Sequence, residues 1–248
     1  MNTTNSVYVA WQEPILHDWF VVGLLQQTDS GYVFNYTEGA LEKNNFVPFN
    51  GMEELNKTYY SHELFPLFQN RVLSKHRPEY PHFIQWLGLN AQEATPIEVI
   101  ARTGGLRNTD QLQMFKRINF DKSGNFEYFF FVHGVGYLDP SAKKRVSDLD
   151  KGDKLFLLQD SQNQYDKLAV AVRAENPAQL IGYCPRYLAR DIRYLLDNSP
   201  HLIELNVECV NKDVPTNYQL LCKLSGKGIS SEVIDLINKH RDFETIRP

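Results

Sequence analysis

Cysteine is scarce and unpaired in this sequence. The 248 residues include three, Cys184, Cys209 and Cys222, with no Cys-x-x-Cys pair. Neither a disulfide framework nor a structural zinc site is signalled, and buried apolar thiols in a reducing compartment are expected. Long hydrophobic runs are missing too. The longest apolar stretches, residues 19–25 and 128–132, fall far short of the ~20 residues that span a bilayer. The N-terminus lacks a basic region followed by an apolar one, so no secretory signal is expected there. Together these absences predict a cytoplasmic protein without membrane association.

A basic excess is absent as well. The chain carries 26 Lys+Arg against 30 Asp+Glu, a net charge of −4. Split after residue 127, the front has 10 basic and 14 acidic residues and the back 16 of each. A protein that tracks many phosphates along a duplex needs clustered positive charge, so that class is disfavoured. A site for one or two nucleotides is compatible with the count. Enzyme signatures are missing in turn: no Gly-x-Ser-x-Gly elbow, P-loop, His-Glu-x-x-His or dinucleotide fingerprint. The seven histidines show no ligand spacing. The expectation is a binding protein, not an enzyme, with no cofactor and no metal.

What is present reads as short strands with a few helices. In residues 1–70, Val7, Val9 and Trp11 alternate at period two, as do Tyr32, Phe34 and Tyr36 after the turn Asp29-Ser30-Gly31. Between Glu63 and Gln85 short helices are predicted, each stopped by proline: Pro66, Pro78 or Pro81. Thr95 as N-cap, Pro96 at the first position and Gly104-Gly105 at the end predict a helix between them. Residues 121–125 read as a hairpin turn; their glycine falls too early for a calcium loop. In the back half, strands are predicted at 128–137, 153–159, 168–174, 179–183, 203–210 and 217–224. Helices are predicted at 185–197, with a Leu188/Ile192/Leu195/Leu196 stripe, and at 230–240, with Val233, Leu236, Ile237 and His240 on one face. The fold class is therefore α+β, mainly β: a small mixed α+β domain over 1–118, then a partly open β-barrel with one or two helices over 119–248.

The chemistry concentrates where Asn163-Gln164-Tyr165-Asp166-Lys167 hands over to the apolar run that starts at Leu168. Asn163 opens a turn. Tyr165 offers a stacking face, Asp166 accepts from hydroxyl or amino donors, and Lys167 is a point charge for phosphate. The plainer alternative is that Asp166 closes its own turn and Tyr165 packs on a rim. Downstream, Arg186, Arg190 and Arg193 recur at i, i+4 and i+7 on a face opposite the Leu/Ile stripe. They suit phosphate or, equally, solvation and pairing with Asp191 or Asp197. Tyr137, Tyr183 and Tyr218 add rings at or near strand ends. Two stacked bases, each contributing ~1–3 kcal/mol, give useful affinity without a polycationic surface.

These residues carry a resemblance. Four blocks occur in order: Phe131-Val132-His133-Gly134-Val135-Gly136-Tyr137; Leu149-x-x-Gly152-Asp153-x-Leu155-x-Leu157; Asn163-x-Tyr165-Asp166-x-x-Ala169-Val170-x-Val172; and Ile181-Gly182-Tyr183-x-Pro185-Arg186. Together they resemble the HIRAN domain over about 126–242. The resemblance implies a small OB-like β-barrel that captures the free 3′-hydroxyl end of single-stranded DNA. By position it makes Tyr137 and Tyr218 stacking rings, sets Tyr165 and Asp166 against the terminal nucleotide, and puts Arg186 near phosphate. Two positions depart from DNA-end-binding relatives: Gly136 stands where they have Arg and Tyr183 where they have His. Arg190 is the candidate to restore the missing cation. The motor of the translocases that carry this domain is absent, since there is no P-loop.

The front half is similar, more loosely, to the N-terminal subdomain of HipA-type toxin kinases. The likeness lies in residues 7–25, Tyr32-Val33-Phe34-Asn35-Tyr36, Leu64-Phe65-Pro66-Leu67-Phe68-Gln69-Asn70-Arg71 and the helix after Thr95. It implies a surface over 1–118 for a protein partner, without phosphotransfer. The two resemblances together imply a bacterial protein of DNA metabolism, defence or a toxin–antitoxin system, or else a regulatory adaptor that does not touch nucleic acid.

Overall fold

Alternation of apolar and polar residues sets both sheets. A computed structural model describes residues 5–15, 17–42, 45–107 and 109–246. The chain folds as two compact units: residues 1–84, 90–117 and 240–248 form the first, 85–89 and 118–239 the second.

The first unit holds an antiparallel sheet of β1 (Ser6–Gln12), β2 (Trp19–Thr28), β3 (Gly31–Tyr36), β4 (Tyr59–Ser61) and β5 (Leu112–Phe115), in the order β4-β3-β2-β1-β5. Val7, Val9, Val22, Leu25, Phe34, Tyr36 and Met114 fill its core. The Tyr36 hydroxyl is buried with them because it has partners: it donates to Met52 O and accepts from Phe49 N, both at 2.7 Å. The prolines open helices here instead of stopping them. Pro66 begins α1 (Pro66–Gln69), and Pro81 lies in the first turn of α2 (Tyr80–Trp86), where its missing N–H costs nothing. The helix α3 (Pro96–Thr103) starts on Thr95, whose Oγ1 accepts from Glu98 N at 3.2 Å, and ends at Gly104 with φ +71°. Residues 240–246 also belong to this unit. Phe243 stands edge-on to Tyr8 at 4.8 Å, Thr245 bridges Thr37, and Ile246 N donates to Tyr36 O at 3.0 Å.

The second unit is built on β6 (Phe126–Phe131), β7 (Lys154–Gln159), β8 (Val170–Ala174), β9 (Gln179–Tyr183), β10 (Ile203–Val210) and β11 (Leu220–Gly226), antiparallel in the order β6-β11-β10-β7-β8-β9. Three helices accompany it: α4 (Pro140–Ser147), α5 (Arg186–Asn198) and α6 (Ser231–Asn238). Leu188, Ile192 and Leu195 of α5 join Phe130, Val172, Ile181 and Leu220 in one core. On α6, Val233 and Ile237 are buried but Leu236 is exposed, and His240 lies beyond the helix, so the expected four-residue face is only half realised.

The six strands are not shown to close into a complete ring, so the expected OB-like barrel is not shown. The strand expected at 128–137 ends at Phe131, because Gly134 at φ +79° turns the chain into a 3-10 turn, Val135–Tyr137. One bridge joins the two edges: His133 and Tyr183 exchange N–H···O bonds of 2.8 and 2.9 Å. Gly182 permits that approach. It sits at φ +136°, and a Cβ there would lie 2.4 Å from Val132 Cγ1 and 2.5 Å from His133 O. Residues 121–125 are not a hairpin turn, since β5 pairs with β1 in the other sheet. Asp121 Oδ1 instead accepts from Ser123 N and Asn125 N and shapes the approach to β6. No helix among the described residues is long and apolar enough to cross a membrane. Cys184 and Cys222 are buried and Cys209 half-buried, and burial pushes all three thiols up.

Candidate nucleic-acid interface

The loop between β7 and β8 is held open by its own polar side chains. Asp160 N donates to Ala169 O at 2.9 Å, closing the loop at its base. Within it, Asn163 Oδ1 accepts from Tyr165 N and Asp166 N, both at 3.0 Å. Satisfying these two donors locally frees the segment from strand pairing and turns Tyr165 outward. Its side chain is 88% exposed, so the rim packing considered from the sequence does not occur.

Asp166 does close its own turn: Oδ1 accepts from Leu168 N at 2.9 Å. Its other oxygen takes Arg186 Nε at 3.1 Å, and Arg186 Nη2 donates to Tyr165 O. Arg186 is the first residue of α5, so the helix start is clamped to the loop. The Asp166 side chain remains 20% exposed. A carboxylate offers about four acceptor positions, and two are used here. Lys167 projects to solvent while its carbonyl accepts from Arg193 Nη1 at 3.3 Å.

Tyr183 connects this loop to the turn bearing Tyr137. Its hydroxyl donates to Asp160 Oδ2 at 3.1 Å, which also takes Asn163 Nδ2 at 3.1 Å. Hydrogen bonds from Asn163 and Tyr183 hold the Asp160 carboxyl below its usual range. On the other side, a Cβ at Gly134 would sit 3.7 Å from Tyr183 Cδ2. Three residues on, Tyr137 is 98% exposed. Thr216 lies beside that turn, its Oγ1 3.3 Å from where a Gly136 Cβ would be.

Tyr218 lies in the 3-10 turn Thr216–Tyr218 rather than in the strand expected from 217. Asn211 Nδ2 holds this turn by donating to Tyr218 O at 2.6 Å. The Tyr218 ring is half-buried, edge-on to Phe131 at 5.5 Å, and burial raises its hydroxyl pKa. It is thus more a wall than a free platform. Asn163, Tyr165, Asp166, Tyr183 and Arg186 share one bonded cluster, Lys167 follows Asp166 in the same loop, Tyr137 adjoins the cluster through Gly134, and Arg190 stands one turn along α5. Asp160 and His133 were not anticipated as part of it. Burial pushes the His133 imidazole down to about 4, so it is neutral at physiological pH. Among the described residues no three His, Cys, Asp or Glu gather to hold a metal ion.

Residues 125–227 match the HIRAN domain. The HIRAN domain is generally a DNA-binding module. The match spans every element of the cluster and stops short of α6. Two solved structures are similar to the chain. The crystal structure of the HIRAN domain of human HLTF is 20% identical and covers 48% of this chain and 91% of its own, with TM-score 0.37. A Lactobacillus plantarum protein is 22% identical and covers 43% of this chain and 100% of its own, with TM-score 0.33. No curated protein matches significantly. None of these matches supports the HipA-type likeness of residues 1–118 or the protein partner expected through it. Within the HIRAN segment, Gly136 and Tyr183 supply no cation to the rim between Tyr137 and Tyr165, and Asp160 adds a negative charge there.

Proposed function

We propose that the HIRAN segment binds single-stranded DNA and takes its 3′ end at the Tyr165 loop. Tyr137 and Tyr165 stack on bases. Asp166 accepts from the terminal 3′-hydroxyl with the acceptor positions that Arg186 and Leu168 N leave open. Arg186 and Lys167 face phosphate, Asn163 and Tyr183 shape the loop, and Tyr218 walls the neighbouring turn. The chain acts as a binding module, with no reaction assigned to these residues. A bacterial, cytoplasmic setting is part of this reading and rests on the family resemblances alone.

The observation that carries it is the exposure of two phenol rings, Tyr137 at 98% and Tyr165 at 88%, the second next in sequence to a carboxylate held by an arginine. An exposed ring beside ordered polar groups offers a base a face to stack on without first leaving the core. The test is fluorescence polarisation with oligonucleotides ending in 3′-hydroxyl or 3′-phosphate. A terminal phosphate removes a donor and sets negative charge against Asp166. A hydrogen bond to a charged group contributes ~1.5–3 kcal/mol, so the 3′-phosphate strand binds about 10- to 150-fold more weakly. Equal affinity for the two ends, or none for either, sinks the reading.

A further inference from the structure

Two carboxylates stand at the Tyr165 loop, and their surroundings differ. Asp166 meets an incoming terminal group at contact, but Arg186 is paired with it and cancels most of its field beyond. Asp160 is held in another way. Its Oδ2 accepts from the Tyr183 hydroxyl and from Asn163 Nδ2, each at 3.1 Å, and Gln162 N also donates to its carboxyl. These donors are all neutral. They favour the ionised form without cancelling its charge. Among the described residues no salt bridge includes Asp160.

The carboxyl is also fixed in place. Asp160 N donates to Ala169 O at 2.9 Å, and its carbonyl accepts from Asn163 N at 3.3 Å, so its backbone is tied to the loop on both sides. The residue is half-buried, where charges are screened less than in open water. It lies close to the end site as well. The Asn163 amide spans the gap: its Nδ2 is 3.1 Å from Asp160 Oδ2, and its Oδ1 is 3.0 Å from Asp166 N. One side-chain amide thus separates a net negative charge from the residue that meets the terminal nucleotide.

We propose that Asp160 is the residue that rejects charge at the strand terminus, so that the site takes uncharged 3′ ends and turns away 3′-phosphorylated ones. The proposal rests on the end-binding reading and divides its selectivity between two acids. Asp166 reads the hydroxyl as a donor, at contact. Asp160 touches no ligand atom and acts through its field. A terminal phosphate monoester adds a charge of about −1.5 to −2. Over about 8 Å, two like unit charges weaken binding about 2-fold at the dielectric constant of water and about 30-fold at the effective value near a protein surface. A loss of about tenfold is therefore expected at low salt, shrinking as salt is added.

The experiment uses octanucleotides of one sequence ending in 3′-hydroxyl, 3′-hydrogen or 3′-phosphate, with fluorescence polarisation at about 50 and 300 mM salt. The hydrogen end removes the donor and adds no charge; the phosphate end does both. The full chain is expected to prefer hydroxyl to hydrogen and hydrogen to phosphate. Asp160→Asn should shrink the hydrogen-to-phosphate ratio by about tenfold at low salt and keep the hydroxyl-to-hydrogen ratio. Asp160→Ser repeats the neutralisation with a smaller side chain, and thermal unfolding reports whether each variant is folded. Tyr183→Phe removes one hydrogen bond from Asp160 but not its charge, so the hydrogen-to-phosphate ratio persists. Asp235→Asn, on α6, controls for net charge. The proposal is overturned if the folded neutral variants keep the parent's hydrogen-to-phosphate ratio, or if Tyr183→Phe or Asp235→Asn lowers it as much. It is overturned too, whatever the variants do, if that ratio in the parent does not respond to salt. If hydroxyl and hydrogen ends bind equally while Asp160→Asn still relieves the phosphate end, the end reading falls and the charge role survives. If the hydroxyl is preferred but neutralising Asp160 changes nothing, the charge role alone falls. No binding of any strand overturns both.

Discussion

Removing the two solvated rings separates binding from stability. Tyr165→Ala and Tyr137→Ala delete side chains that are 88% and 98% exposed, so each leaves the core intact and loses almost no buried area. Thermal unfolding of both variants therefore stays close to that of the parent. Binding behaves differently. A base stacked on an aromatic ring contributes ~1–3 kcal/mol, so each variant weakens single-stranded DNA by about 5- to 150-fold in Kd. The rings sit on separate turns, so the double variant loses about the sum, up to the point where binding is not measurable. Fluorescence polarisation with a 3′-hydroxyl oligonucleotide reads the affinity, and calorimetry on the same samples reads the fold. Tyr218→Ala is the contrast, since its ring packs edge-on to Phe131 and its loss lowers the melting temperature as well. If both exposed-ring variants bind within twofold of the parent, the rings are not platforms and the reasoning is refuted.

Tyr36→Phe removes a hydroxyl that satisfies Phe49 N and Met52 O; it should cost about 2 kcal/mol in denaturant unfolding, and a loss under a few tenths contradicts the burial argument. Gly182→Ala puts a methyl 2.4 Å from Val132 Cγ1 at φ +136°, so a loss of about 2 kcal/mol or more is expected by the same assay, with the His133–Tyr183 bridge disrupted. His133 titrates near 6.5 when unfolded and about 4 when folded. Its folded pKa is depressed, so the unfolded chain binds more protons between those values. Stability present above pH 6.5 is then lost as the pH falls towards 4, by at most about 3 kcal/mol. His133→Gln should flatten that part of the pH profile, and an unchanged slope would assign it to other groups.

Much of the second unit was legible because its signals are local. The helix α5 announced itself through Leu188, Ile192 and Leu195 at helical spacing, and strands 179–183 and 203–210 through apolar runs between turn residues. The helix α4 was missed because only Ala142 and Val146 are buried along it, which is too thin a stripe to register. Its sign was Asp139-Pro140: Asp139 Oδ1 accepts from Ser141 N and Ala142 N at 2.8 and 3.0 Å. The end of β6 was misjudged because aromatic residues 128–131 run into Val132 and Val135, and the break depends on Gly134 adopting a left-handed conformation. In the site, the Asn163 turn could be read from four consecutive residues. Asp160 joining Tyr183, and His133 bridging it, span residues far apart in sequence, and no spacing rule reports such pairs.

The return of residues 240–246 to the first sheet has a consequence for synthesis. During translation, β1 to β5 emerge early, yet Phe243, Thr245 and Ile246, which close against Tyr8, Thr37 and Tyr36, leave the ribosome only after all of 118–239 has been made. The first-made sheet must therefore wait, with part of its apolar face uncovered, while the later unit completes itself from 118–239 and the earlier segment 85–89. A fragment stopped at residue 239 would contain every strand of both sheets and still lack the clasp of the earlier one, exposing Tyr8 and Phe115 to aggregation that a longer fragment avoids.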